Sequence, residues 1–149
     1  MTLQERLSAD LREAAKKGDV PRRTALRLVL ASAKNAEKAR GASLDDAGVM
    51  EVIGKQAKRH RESIGEFARG NRQDLVDREE AELAVLLEYL PQQMGHDELV
   101  EAARSVIDQV GARGPGDKGK VMARLMAQVK GKADGREVNQ VVSDLLSAL

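Results

Sequence analysis

The sequence predicts an all-α protein, and three observations predict it. Apolar residues recur at three- and four-residue spacing along most of the chain, the period of one helix face. Aromatic residues are 1% of the 149, only Phe67 and Tyr89, whereas sandwiches and barrels draw on aromatic and β-branched side chains. No stretch carries a strand pattern, and no internal repeat is visible. The core must therefore be built from Leu, Val, Ile, Ala and Met. With 42% hydrophobic and 33% charged residues, the chain has the composition of a folded helical protein rather than a disordered one.

The elements follow in order. Thr2 caps a first helix with Glu5 at the capping-box position. Leu3, Leu7 and Leu11 form its stripe, and Gly18 ends it. Asp19-Val20-Pro21 starts a second helix, since proline is tolerated in a first turn. Its apolar face is Ala25, Leu26, Val29, Leu30, Ala33 and Ala36, and it ends at Arg40-Gly41. Ser43 is the expected cap of a third helix. Val49, Ile53, Ala57, His60, Ile64 and Phe67 share one face of it, and it ends near Gly70. A fourth helix begins between Asn71 and Asp74 and carries Leu75, Ala81, Leu83, Ala84, Leu86, Leu87 and Leu90. Pro91 stops it, because proline lacks a donor and disfavours a helical residue before it.

Leu90-Pro91-Gln92-Gln93-Met94-Gly95 reads as the one linker. It divides an N-terminal four-helix domain, residues 1–90, from a small C-terminal three-helix domain, residues 95–149. His96 or Asp97 caps the fifth helix, whose stripe is Leu99, Val100, Ala103, Val106, Ile107 and Val110. The sixth carries Val121, Met122, Leu125, Met126 and Val129. The seventh, capped by Asp134 with Glu137 three residues on, carries Val138, Val141, Val142, Leu145, Leu146 and Leu149. Between these two lies a basic turn, Lys130-Gly131-Lys132-Ala133-Asp134-Gly135-Arg136.

Composition narrows the function. There is no cysteine, which removes disulfides, thiolate metal sites and thiol catalysis. No stretch approaches the roughly 20 apolar residues of a membrane span, and the N-terminus is polar and periodic. These features predict a cytoplasmic protein with no membrane role. The net charge is +1 but uneven. Residues 1–70 hold 15 basic and 10 acidic side chains, residues 71–108 hold 3 and 10, and residues 112–136 hold 7 and 2. The two basic regions would attract a polyanion.

The candidate motifs are few. Gly114-Pro115-Gly116-Asp117-Lys118-Gly119-Lys120 satisfies the G-x-x-x-x-G-K part of a phosphate loop. The full motif needs Ser or Thr next and a strand before it. Here Val121 follows and a helical pattern precedes, so the stretch reads as a helix-start turn. His60, on an apolar stripe, reads as a satisfied core histidine, and His96 as a helix-start residue. No His/carboxylate cluster at helical spacing stands out, so no metal site is expected. No nucleophile accompanies either histidine, so no catalytic constellation and no cofactor is expected. The acidic run Asp77, Glu79, Glu80 and Glu82 reads as a solvated face, or as a face docked on Lys55–Arg61 across a helix pair. The basic set Lys118, Lys120, Arg124, Lys130, Lys132 and Arg136 has two readings, a solubilising surface or a contact for nucleic-acid phosphates. Without an aromatic nearby, base stacking is unavailable, and recognition would rest on backbone and shape.

With these residues in view, the chain resembles the GatB/YqeY family, and closely its stand-alone YqeY-like members. Three stretches carry the resemblance: Glu62-Ser63-Ile64 through Gly70-Asn71-Arg72-Gln73-Asp74-Leu75-Val76; Glu80-Ala81-Glu82-Leu83 to Glu88-Tyr89-Leu90-Pro91-Gln92-Gln93; and Gly119-Lys120-Val121-Met122 to Lys130-Gly131-Lys132-Ala133-Asp134-Gly135 with Val138-Asn139. Asn71 is the small departure. The resemblance implies two all-α domains like the tail of the B subunit of the tRNA-dependent amidotransferase. That carbon–nitrogen ligase uses ATP and glutamine as amide donor to convert Asp or Glu mischarged on tRNA. Its catalytic parts lie outside the tail, so this chain is expected to lack transamidation by itself. The implied role is a non-catalytic tRNA-binding module in translation, with tRNA, amidotransferase subunits or an aminoacyl-tRNA synthetase as partners. A protein-interaction or assembly module without an RNA role is the alternative.

Overall fold

The computed structural model describes residues 1–149. It is all-α: seven α-helices, one short 3₁₀ turn and no strand. The helices are α1 (Leu3–Lys17), α2 (Val20–Arg40), α3 (Asp46–Arg69), α4 (Gln73–Leu87), α5 (His96–Val110), α6 (Lys118–Val129) and α7 (Gly135–Ser147). Internal contacts divide the chain into two compact units, Met1–Pro91 and Gln92–Leu149. No helix is long and apolar enough to cross a membrane.

In the first unit, α1 starts where the Thr2 hydroxyl accepts the Glu5 amide at 3.1 Å and ends at Gly18, whose φ of 70° is left-handed. Asp19 caps α2 by accepting the Arg22 amide. The expected cap of α3 is corrected: Asp45, not Ser43, accepts the Gly48 amide at 2.8 Å. The reason is tertiary. Glu37 of α2 accepts the Leu44 amide, and Asp46, two residues further on, accepts the Leu3 amide at the open end of α1. Both bonds satisfy orphan donors and fix where the backbone can turn into α3. At the other end of α3 the left-handed residue is Asn71, with φ 56°. Asparagine tolerates that conformation better than other residues bearing a side chain.

The core of this unit is aliphatic but for one tyrosine: Leu7, Ala25, Leu26, Val29, Val49, Ile53, Ala57, Val85, Leu86 and Tyr89 cluster together. Leu7, Leu26, Ile53 and Leu86 are fully buried. The α3–α4 pair is the most extensively packed, and α2 touches α1, α3 and α4. α4 stops earlier than the proline rule suggested, at Leu87 rather than beside Pro91. The chain tightens first, with Glu88, Tyr89 and Leu90 amides bonding three residues back to Val85, Leu86 and Leu87. Proline disfavours a helical Leu90, and the 3₁₀-like bonds satisfy the last carbonyls.

That tightened end delivers Tyr89 into a polar network. Its hydroxyl donates to Asp10 Oδ2 at 2.7 Å and receives a long bond of 3.4 Å from Arg22 Nη1. Arg22 Nη2 pairs with Glu88 at 2.6 Å, and the Arg6 guanidinium lies 4.8 Å above the ring centroid. α1, α2 and the end of α4 are thus joined through one phenol.

The second unit has its own core, Leu99, Ala103, Val106, Ile107, Val121, Leu125, Val129, Val138, Val141, Val142 and Leu146. α5, α6 and α7 each touch the other two. Two expectations are corrected here. Gly95, not His96 or Asp97, takes the cap position of α5, with no side-chain cap. Acidic Asp97 and Glu98 instead lie in the first turn, where the helix dipole favours them. Leu149 is not part of the stripe of α7: the helix ends at Ser147 and Leu149 is 66% exposed. Gly114-Pro115-Gly116 leads into a 3₁₀ turn, Pro115–Asp117, and then α6, a helix start and not a phosphate loop.

Tyr89 generates a direct test. Burial and the Asp10 carboxylate push its hydroxyl up from 10.0 to about 12, against a smaller lowering by Arg22. The neutral phenol is thus favoured in the folded state. The stabilisation is whole below the unfolded value and is lost as pH rises through about 12. Tyr89 is the sole tyrosine and there is no tryptophan, so phenolate absorbance reports it alone. Native protein should titrate near 12 and urea-unfolded protein near 10. Tyr89→Phe should show no such added loss of stability in alkali.

Candidate nucleic-acid interface and a buried histidine–glutamate cluster

The basic turn is built by its backbone. α6 ends at Val129, and Gly131 adopts φ 79°, a left-handed angle that is strained for residues other than glycine. The Lys132 and Ala133 amides both donate to the Val129 carbonyl, at 2.8 and 3.2 Å. Two further bonds strap the turn from outside. Gln93 Nε2 donates to the Gly131 carbonyl and the Met94 amide to the Lys132 carbonyl, each at 2.8 Å. Asp134 begins α7, its carboxylate accepting the Arg136 amide at 3.4 Å. The turn's carbonyls are therefore held by the protein while its lysine side chains stay in solvent.

The six predicted cations do not form one cluster. Lys130, Lys132 and Arg136 are exposed around the turn. Lys120 and Arg124 are exposed on α6, one turn apart. Lys118 is half-buried on the same side of α6 as Val121 and Leu125. At about 1.5 Å of rise per residue, Lys118 and Lys120 lie roughly 15–18 Å along the axis from Lys130. Lys120 Nζ is 3.9 Å from Asp117, an exposed contact of little strength. Arg124, Lys130 and Lys132 make no ion pair. Two of the exposed cations thus lie on α6 and three in or just after the turn that follows it. His96 approaches Glu137 of α7 at 3.5 Å.

A second constellation lies in the first unit, across α3 and α4. His60 is 3% exposed. Its Nδ1 donates to the Gln56 main-chain carbonyl at 2.9 Å, with the Gln56 side-chain amide 3.3 Å away. Its Nε2 faces two carboxylates, Glu82 Oε1 at 3.1 Å and Glu79 Oε2 at 3.5 Å. His60 is thus the satisfied core histidine that its stripe predicted. The acidic run, however, is not wholly a solvated face: Glu82 is buried and Glu79 partly so. It docks on α3 through His60, not through the lysines and arginines beside it. The expectation of no metal-ligating cluster is corrected too. One ligand atom from each of His60, Glu79 and Glu82 lies within 4.8 Å of the others. The readable signal was the three-residue spacing of Glu79 and Glu82, which places them on one face of α4.

The fold defines a class: an all-helical protein with exposed basic side chains on α6 and the turn after it. Residues 4–146 match the YqeY-like protein family, and the chain belongs to that family, as the resemblance in its motifs indicated. It is 32% identical over 146 residues to "Altered inheritance of mitochondria protein 41, mitochondrial" of Pyrenophora tritici-repentis, covering 96% of this chain and 80% of that protein. The proteins of the same name from Lachancea thermotolerans and Saccharomyces cerevisiae are 38% and 33% identical over 87 residues. Those alignments cover 58% of this chain and 46–47% of the relatives, so against these two it spans about half their length.

These relatives overturn the expectation of a cytoplasmic location, because their names place them in mitochondria. The physical reason for the error is plain. Cysteine count and hydropathy do not separate one reducing aqueous compartment from another.

Gly131 offers a check on the turn. Gly131→Ala should destabilise the protein by about 1–2 kcal/mol through the left-handed backbone alone. Gly116→Ala, whose added Cβ meets nothing within 4 Å, should fall within about 0.5 kcal/mol of the parent. Urea titration followed by circular dichroism reads both. Equal effects at the two positions would remove the strain argument.

Proposed function

We propose that this YqeY-like chain is a non-catalytic helical module that binds tRNA, acting in translation as the tail of the amidotransferase B subunit does by resemblance. The observation that carries the reading is the set of exposed cations, Lys120 and Arg124 on α6 with Lys130, Lys132 and Arg136 at the turn after it, read here as one cationic edge beside a turn whose backbone is independently held. Lysine and arginine side chains there can replace the counterions condensed on phosphates, which supplies affinity without sequence readout. No aromatic lies in this unit, so the ligand is recognised by backbone and shape, as a folded RNA is. Lys118 belongs to the proposed contact as well, although it is the least exposed of the six.

The four-helix and three-helix units are read as two domains, the second being the RNA-binding one. Amidotransferase subunits or an aminoacyl-tRNA synthetase are the protein partners consistent with this role. The mitochondrial relatives make organellar protein synthesis the setting in which we read it. Glutamine-dependent carbon–nitrogen ligation stays with the full amidotransferase.

The test is tRNA binding at several salt concentrations. With about four phosphate contacts, the logarithm of affinity should fall against the logarithm of salt with a slope of roughly −3. Lys130→Glu/Lys132→Glu should weaken binding strongly and flatten that slope by about 2. Equal affinity of parent and variant would end this reading. A partner protein captured from nuclease-treated extract, with no RNA bound beforehand, would favour the assembly role instead.

A further inference from the structure

We propose that His60, Glu79 and Glu82 form a binding site for a divalent first-row transition metal, with Zn²⁺ the ion that suits the ligand set best. The first argument is the direction of the imidazole. Nδ1 lies 2.9 Å from a main-chain carbonyl, which can only accept, so Nδ1 carries a proton. Nε2 is then directed at two carboxylate oxygens, at 3.1 and 3.5 Å. Three potential ligand atoms thus face one point from two helices, an arrangement that a bound cation would satisfy.

The second argument is spacing. Zn²⁺ binds histidine nitrogen and carboxylate oxygen at about 2.0–2.2 Å. Neighbouring ligands around it are then about 3.0 Å apart in an octahedron and about 3.4 Å apart in a tetrahedron. The two histidine–glutamate separations, 3.1 and 3.5 Å, fall close to that range, and the three ligand atoms lie within 4.8 Å of one another, so a small side-chain movement closes the set on one ion. The carbonyl bond at Nδ1 is also the outer contact that metal-binding histidines use to fix their ring.

The third argument is charge. Two carboxylates face one imidazole among side chains that are 3%, 7% and 21% exposed. No lysine or arginine pairs with either glutamate. A divalent ion beside a neutral imidazole balances both carboxylates. Buried uncompensated charge is strongly disfavoured, which favours the metal. Imidazole and carboxylate together select Zn²⁺ over Mg²⁺ or Ca²⁺, which prefer oxygen alone. Glu79, the most exposed of the three, marks the side where water completes the coordination. The ion would clip α3 to α4 and belongs to a different unit from the cationic edge, so it stands or falls apart from the RNA reading.

The test uses the full-length chain, freed of metal with chelator and titrated calorimetrically with Zn²⁺ and with Co²⁺ as a visible reporter. One ion should bind per chain and raise the thermal midpoint. Glu79→Gln and Glu82→Gln should each weaken binding by more than the roughly 10–100-fold that loss of an outer-sphere partner costs. His96→Gln, at the exposed histidine, should bind as the parent does. Glu79→Gln is the key variant, because its partly exposed position lets the helix content be retained and checked by circular dichroism. Absence of stoichiometric binding would overturn the site. So would binding that is indifferent to Glu79→Gln and Glu82→Gln or abolished by His96→Gln, or ¹⁵N spectra showing both His60 ring nitrogens protonated at saturating Zn²⁺.

Discussion

The structure depends on one constraint: each helix carries a single apolar stripe, and only Phe67 of α3 among the helical residues is aromatic. Aliphatic side chains fill space only in numbers, since each contact contributes little by itself. A stripe of Leu, Val and Ala on a helix of 12 to 24 residues must therefore meet at least two neighbours to be sheltered. α3 does this against α1, α2 and α4, and α6 against α5 and α7. Two cores result, one in each unit, and each is closed by residues of its own unit. Where polar groups enter those cores they must arrive with partners, because an unpaired buried polar atom costs more than its bond returns. His60 and Glu82 obey this, and no buried side-chain polar atom lacks a partner.

The helices were legible because their signals are local. The hydroxyl of Thr2, the carboxylates of Asp19 and Asp134, and the left-handed glycines 18, 41 and 111 act within three or four residues of themselves. Periodicity and capping rules see such distances. Ser43 was misread for the opposite reason. Both Ser43 and Asp45 are competent caps, and the choice between them is made by Glu37 and Leu3, which lie elsewhere in the chain. Pro91 was overread because its effect on the preceding residue was taken as the end of the helix. The chain had already tightened into shorter bonds from Glu88 onward.

The sites were legible only as residue types. Helical spacing correctly set Lys120 and Arg124 one turn apart, yet the same geometry places Lys118 on the inner side of α6. A list of basic residues does not reveal that difference until the stripe of Val121, Leu125 and Val129 is used as the reference direction. The His60 cluster was hidden more deeply. Its members come from two helices, 19 and 22 residues apart in the chain, and no period within one helix relates them. The turn strap from Gln93 and Met94 is likewise a tertiary fact, joining atoms 38 residues apart.

The chain treats charge in two opposite ways, and the difference follows from solvent. Inside, between α3 and α4, ionic groups are brought to within about hydrogen-bond distance, because low polarity magnifies both attraction and the penalty for isolation. Outside, along α6, Arg124, Lys130 and Lys132 are left without acidic partners. Pairing them would add at most about 1 kcal/mol each to stability. The same pairing would remove the charge that a phosphate chain exchanges for its counterions, a gain that accumulates with every contact. A helical unit that holds its turn by backbone bonds to Gln93 and Met94 does not need those cations for folding. That independence is the feature the proposed RNA contact draws on: the turn keeps its shape through Gln93 and Met94 whether or not those cations are present.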